Sequence, residues 1–239
     1  MRLSPGSACL VFRFDNRHFK LAATPRARRG LLRETRGTAQ AARDEFWSHY
    51  LQPARYRLGF IKHAALCEPA DDAALSMVLS AVQQRIGAHL PASGGWNKYF
   101  PSLAAIADPR DCWPQRMNDI FDGEICASTH GDLCMANCLL HDGKPVLIDW
   151  GNFRPHFWAP YDVLHPEVVR RTNATDTSWL TDLQQQVGEN SCDVMQTIRY
   201  VICRVELEAD QDIAMGRLDD RRRAKHADAL SWAGALLKP

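Results

Sequence analysis

Three side chains able to offer oxygen stand at fixed intervals in one short stretch. From His130 the chain reads H-G-D-L-C-M-A-N, passes through the apolar run CLLHDGKPVLI, and ends in Asp149, Trp150 and Gly151. Phosphoryl transfer from a nucleotide needs a carboxylate to orient the acceptor hydroxyl and take its proton, and two oxygen ligands for Mg²⁺. Asp132, Asn137 and Asp149 are of the right types for these parts. Four residues between Asp132 and Asn137 let a tight loop turn both side chains to one point. A hairpin turning at Asp142-Gly143 returns Asp149 to that point. Taken singly, Asp and Asn are turn residues in any fold. Taken as one spaced set beside two apolar strands, they describe a site.

The rest of the chain must position that set. It has 239 residues, 46% hydrophobic and 24% charged, which predicts a globular protein with a sizeable core and excludes a disordered or fibrous one. No apolar run reaches the roughly 18 residues of a membrane span, and ACLVF is broken at Arg13, so neither a span nor a signal peptide is expected. The expected location is the cytoplasm. Eight scattered cysteines are too dilute for a disulfide scaffold and read as buried thiols. Net charge is +1, but residues 1–66 hold 13 Lys and Arg against 4 Asp and Glu, and the remainder 16 against 24. The basic portion suits a phosphate-bearing ligand or an anionic membrane surface, and the acidic portion suits cations. Neither a nucleic-acid-binding motif nor a basic overall balance is present, so a nucleic-acid partner is not expected.

ACLVFRF and HFKLA around the Asp15-Asn16 turn predict a hairpin, with no residues before Ser4 to form a preceding strand. Apolar spacing from about Ala27 to Phe46 predicts a helix closed by Pro53, and RYRLGFIKHAAL reads as one or two strands. Pro69 marks a boundary between a small first lobe, residues 1–68, and a larger, mostly helical second one, residues 69–239. Helices are expected at DDAALSMVLSAVQQRIGAHL, around Met117, at IRYVICRVELEADQDIAM and at RRRAKHADALSWAGALL.

The segment HGDLCMANCLL followed by VLIDW resembles the catalytic and metal-binding core of the aminoglycoside phosphotransferase and choline kinase superfamily. The match covers roughly residues 126 to 163. The resemblance implies an α+β, protein-kinase-like two-lobe fold whose β-rich first lobe is short. It implies an ATP- and Mg²⁺-dependent kinase acting on a hydroxyl of a small molecule: a sugar, amino sugar or amino alcohol. By the same resemblance Asp132 would be the catalytic base, Asn137 and Asp149 the Mg²⁺ ligands, and His130 an organiser of the loop. A kinase-like first lobe also needs a strand lysine and a helix glutamate; Lys20 and Glu34 stand in that order, with Glu45 as the alternative partner. Gly6 and Ser7 would form the phosphate-covering turn. Gly151 replaces the family's acidic residue after Asp-Trp, and NFRPHFWAP replaces its short linker.

Other readings remain open from the residues alone. One is a kinase for a lipopolysaccharide core sugar at the inner membrane surface; another is a non-catalytic nucleotide-binding or regulatory module of the same fold. Cys126, Cys134, Cys138 and His141 are weighed as a zinc site against buried thiols. The acidic group Glu206, Glu208, Asp210, Asp212, Asp219 and Asp220 is weighed as an amine-binding face against a solvated one. Phe153, Phe157, Trp158 and Tyr161 could pack in a core or wall an acceptor site.

Overall fold

The computed structural model describes residues 2–3, 9–15, 17–57, 60–92, 94–107, 113–175 and 177–237. The architecture is α+β, with a small antiparallel sheet region and a larger helical part. The chain forms two compact units, Met1–Gly87 with Ser128–Pro155, and Ala88–Ala127 with His156–Pro239. Among the described residues no helix is long and apolar enough to cross a membrane.

The first unit is built on a five-stranded sheet in the order β1-β2-β3-β5-β4, formed by β1 (Arg2–Leu3), β2 (Leu10–Phe14), β3 (Arg17–Leu21), β4 (Ala54–Arg57) and β5 (Ile61–Ala65). The strand before the hairpin, unexpected from the sequence, pairs Arg2 with Val11 and Leu3 with Leu10. Two residues are too few to display an alternation, so nothing in their types announces it. Helix α1 (Pro25–Ala41) starts where Thr24 accepts a hydrogen bond from the Ala27 amide, with Pro25 in its first turn, where a missing N–H costs nothing. It ends well before Pro53. The Asp44 carboxylate accepts from the amides of Phe46 and Trp47, at 3.0 Å each, and this local turn wins over helix although the apolar spacing runs on to Phe46. A single turn of 3₁₀ helix follows at Trp47–Tyr50.

Glu68–Pro69, where the sequence suggests a boundary, forms β6 and pairs with Leu139 and Leu140 of β8 (Cys138–His141) inside the first unit. Helix α2 (Asp72–Gly87) packs on the hairpin of β8 (Cys138–His141) and β9 (Lys144–Leu147). That hairpin turns at Asp142 and Gly143, with φ of 51° and 71°, the positive pair that a two-residue hairpin loop requires.

The second unit holds α3 (Trp113–Ile120), α4 (Tyr161–Thr175), α5 (Trp179–Gly188), α6 (Val194–Ala214) and α7 (Asp220–Leu236). Strands β7 (Cys126–Thr129) and β10 (Arg154–Trp158) each carry the chain from one unit to the other. The helical core gathers Trp96, Trp113, Phe121, Phe157, Trp158, Tyr161 and Tyr200, all essentially inaccessible to water. Phe157, Trp158 and Tyr161 are therefore core residues, and Phe153 is likewise buried, so the acceptor-wall reading of this group is corrected.

Candidate active site

The loop after β7 is shaped by a glycine and a histidine. Gly131 sits at φ 78°, and a Cβ there would lie 2.3 Å from the Asn152 carbonyl oxygen, so only glycine fits. His130 is fully buried, its ring against Trp150 at 4.5 Å between centroids. The Asp132 amide donates to His130 Nδ1 at 3.3 Å, so Nδ1 accepts, and Nε2 carries the proton that bonds the Ile148 carbonyl at 3.0 Å. One neutral imidazole thus ties the loop to the strand end that precedes Asp149.

Asn137 closes the loop. Its Nδ2 donates to the Asp132 backbone carbonyl oxygen at 2.8 Å and to Asp132 Oδ2 at 2.9 Å, while the Asn137 backbone carbonyl accepts from the Ile148 amide at 3.0 Å. Facing two acceptors with the amide nitrogen fixes the side chain's orientation, because the flipped amide would set oxygen against oxygen. Among the described residues Oδ1 of Asn137 has no protein partner.

Asp149 sits at φ 64°, ψ 50°, a left-handed conformation that side chains other than glycine seldom adopt. Its side chain keeps 53% of its surface open at the floor of a cavity and lies 3.6 Å from Lys20 Nζ. The register of β3 and β5 sets Lys20 directly opposite Lys62, a like-charge pair that would be unfavourable alone. Glu34, from α1, resolves it. Its Oε2 accepts from Lys20 at 2.7 Å and its Oε1 from Lys62 at 2.6 Å, with Tyr56 Oη 3.4 Å from the same oxygen. Helix α1 is in turn locked to the segment after Asp149: Arg33 donates to the Gly151 carbonyl and to Asn152 Oδ1, and a Cβ on Gly37 would lie 1.8 Å from the Trp150 carbonyl oxygen.

These contacts move the titration of the groups. Burial would lift the Glu34 carboxyl, but Lys62 and Lys20 together pull it down to about 2. Burial would lower the Lys20 ammonium, and Asp149 and Glu34 hold it above the usual lysine range instead. Asp149 moves the other way from Glu34. The protein packed around it raises its carboxyl, Glu34 and Asp132 add to the rise, and Lys20 and Lys62 oppose it.

The cavity, about 210 Å³, has walls of Val11, Phe19, Ala64, Leu139 and Ile148 and a charged end made by Lys20, Lys62, Glu34 and Asp149. Hard oxygen donors suit a divalent cation, and Asn137 Oδ1 and the Asp149 carboxylate are of that kind and carry little competing hydrogen bonding. The residues present therefore fit Mg²⁺. Among the described residues no three His, Cys, Asp or Glu side chains cluster as a metal site, so the candidate donors are one aspartate and one asparagine.

Of the positions singled out in the sequence, Lys20, Glu34, His130, Asp132, Asn137 and Asp149 all fall in the first unit and are joined by the contacts above. Glu45 is exposed and takes no part. Gly6 and Ser7 lie outside the described residues. The sequence reading missed Lys62, Arg33 and Gly37. The signal for Lys62 was the alternation in IKHAA, where Lys62 and Ala64 share the buried face. Cys134 and Cys138 are buried and form no disulfide, and burial pushes the Cys138 thiol up to about 11. Of the acidic group, Glu206 and Asp212 are buried and Glu208 pairs with Arg204 and Lys225, while Asp219 and Asp220 are exposed, so the six do not form one face.

A choline/ethanolamine kinase family protein from Mesorhizobium loti is similar in structure, with a TM-score of 0.41 and 13% identity over 100% of this chain and 88% of that one. No family model and no curated protein matches the chain.

Proposed function

We propose that the chain is an ATP-dependent phosphotransferase that moves the γ-phosphoryl group to a hydroxyl of a small molecule, a sugar, amino sugar or amino alcohol. The observation that carries this reading is Asn137, whose side-chain nitrogen fastens Asp132, whose backbone carbonyl holds the Ile148 amide next to Asp149, and whose Oδ1 is left over. One residue thus ties a prospective base to the segment of a prospective metal ligand.

In this reading Asp132 orients the acceptor hydroxyl and takes its proton as the bond to phosphorus loosens. Lys20 holds the phosphates with its ammonium, and Glu34 keeps that ammonium charged and aimed. Asn137 Oδ1 and Asp149 hold Mg²⁺, which when bound neutralises charge on the phosphate oxygens. The apolar walls of the cavity accept the nucleotide's flat, uncharged part. Most of the rate gain comes from positioning and from fixed charge, because a loose transition state asks little covalent chemistry of the protein.

The test is ATP consumption over a panel of sugars, amino sugars and amino alcohols, with Mg²⁺. Asp132→Asn should reduce turnover at least about a thousandfold while the thermal transition stays within a few degrees of the wild type. Wild-type turnover in that variant would remove Asp132 as the base, and no ATP consumption with any acceptor would favour a nucleotide-holding module.

One observation favours membrane contact as an addition. On the sheet face opposite α1, Arg17 and Arg55 flank His63 around a shallow cavity, and Phe14 at the hairpin end is 69% exposed. Binding to anionic vesicles that weakens with salt would support an acceptor carried at a membrane surface. Indifference to vesicles would remove it.

A further inference from the structure

A lysine and glutamate alone would serve the proposed reaction, yet the structure places a second lysine on the same carboxylate. Lys62 is buried, sits directly across from Lys20 in the sheet, and bonds the glutamate oxygen that Lys20 does not use. A buried carboxylate left without a counterion is costly. If Lys20 were the sole partner of Glu34, each departure of Lys20 towards a phosphate would leave Glu34 buried and unpaired. With Lys62 fixed on Oε1, Glu34 stays neutralised whichever way Lys20 turns. Lys20 bonds Oε2 at 2.7 Å and also has Asp149 within reach, 3.6 Å from its Nζ.

We infer that Lys62 is a positioning residue: by holding Oε1 of Glu34 on its own, it frees Lys20 to turn from Oε2 to an anion bound beside Asp149. Lys62 shares the charge of Glu34 and repels Lys20 across the sheet, so the Lys20 ammonium is held less tightly than a simple pair would hold it. The inference rests on the proposed phosphate-binding role of Lys20, but the division of Glu34 between two lysines exists in the free protein and can be measured there.

The measurement is the rate at which an amine-directed acylating reagent modifies Lys20 in the full chain, followed on the Lys20 peptide by mass spectrometry. The rate reports how free the Lys20 amine is to leave its carboxylate partners. In Lys62→Met, Glu34 has a single counterion and the repulsion is gone, so acylation of Lys20 should slow about fivefold or more. Lys62→Arg should restore the wild-type rate, which a merely space-filling role would not predict. In a Glu34→Gln background only the direct repulsion remains, so Lys62→Met should slow Lys20 clearly less than it does with Glu34 present. An unchanged Lys20 rate in Lys62→Met overturns the inference, as does equal slowing in the Glu34→Gln background, which would mean that Lys62 acts without Glu34.

Binding of inorganic pyrophosphate completes the test. Pyrophosphate should protect Lys20 in the wild type at concentrations about tenfold lower than in Lys62→Met; equal protection overturns the inference. ATP consumption by the wild type is read separately. A chain whose lysines follow this order but which consumes no ATP refutes the proposed function and keeps the inference.

Discussion

Both units bury charge, and they use it differently. In the helical unit the buried carboxylates of Glu206 and Asp212 are spent on the protein itself. Glu206 accepts from the amides of Ser102 and Leu103, at 2.9 and 3.0 Å, and Asp212 is shared by Arg217, Arg222 and His226 at 2.9 to 3.2 Å. Glu208 is held by Arg204 and Lys225. In the sheet unit the polar groups are anchored just as firmly on one side, but capacity is left over on the other. Asn137 uses its nitrogen and keeps its oxygen, Asp149 has one ammonium at 3.6 Å, and Lys20 is divided between two carboxylates. A satisfied buried charge fixes a fold; a fixed group with unused bonding capacity can take a ligand. The comparison assigns stability to one set and chemistry to the other, and each assignment can be broken.

The largest effect is expected at Asp149. Asparagine tolerates the left-handed conformation and is nearly the same size, so Asp149→Asn should leave the thermal transition at or above that of the wild type. Its turnover should fall at least about a thousandfold, because a neutral amide replaces the one charged ligand proposed for Mg²⁺. A variant that loses both stability and activity would make Asp149 another structural carboxylate and erase the contrast. Glu206→Ala should do the reverse. It strands two buried backbone amides and should cost about 2 to 4 kcal/mol in denaturant unfolding, with turnover per folded molecule unchanged.

That contrast was only half legible in the amino-acid sequence. The loop set stood out because three rare requirements, an Asp, an Asn and a second Asp, recur at spacings that a tight loop and one hairpin can bring together. Lys20 and Glu34 could be paired because the resemblance asks for a strand lysine followed by a helix glutamate, and the two stand in that order. Lys62 was passed over, since a lysine in a short apolar strand reads as an exposed charge, although alternation sets it on the same face as Ala64. The register that opposes it to Lys20, and the arrival of Glu34 from α1, explain its buried role. The α1 terminus escaped for a similar reason: apolar spacing persists to Phe46, while the decisive event is one carboxylate, Asp44, capturing two amides. Glu206 read as surface because its partners lie 103 and 104 residues away along the chain. Local patterns reveal what a segment can do; the satisfaction of a buried charge depends on what arrives from elsewhere.

The smallest effect separates two carboxylates within the sheet unit itself. Glu34 titrates below its ordinary value, down to about 2, so the stability it contributes is complete above the unfolded carboxylate range near 4.5 and is lost as pH falls towards 2. Asp149 is raised, so its ionised form costs stability at neutral pH, and that cost is relieved as pH falls through its raised value towards 3.8. The two slopes have opposite signs. Thermal unfolding of the wild type and of Asp149→Asn, followed from pH 7 down to about pH 4, isolates the second slope because Glu34 is common to both. The variant should exceed the wild type most at neutral pH, and the gap should close on acidification as the wild-type Asp149 takes up its proton. The gap will be small, since half of that side chain faces water and is screened by it. Added Mg²⁺ should narrow it at neutral pH in the wild type alone, by favouring the ionised Asp149. A gap that is constant with pH, or that Mg²⁺ leaves untouched, would place Asp149 with the satisfied carboxylates of the helical unit.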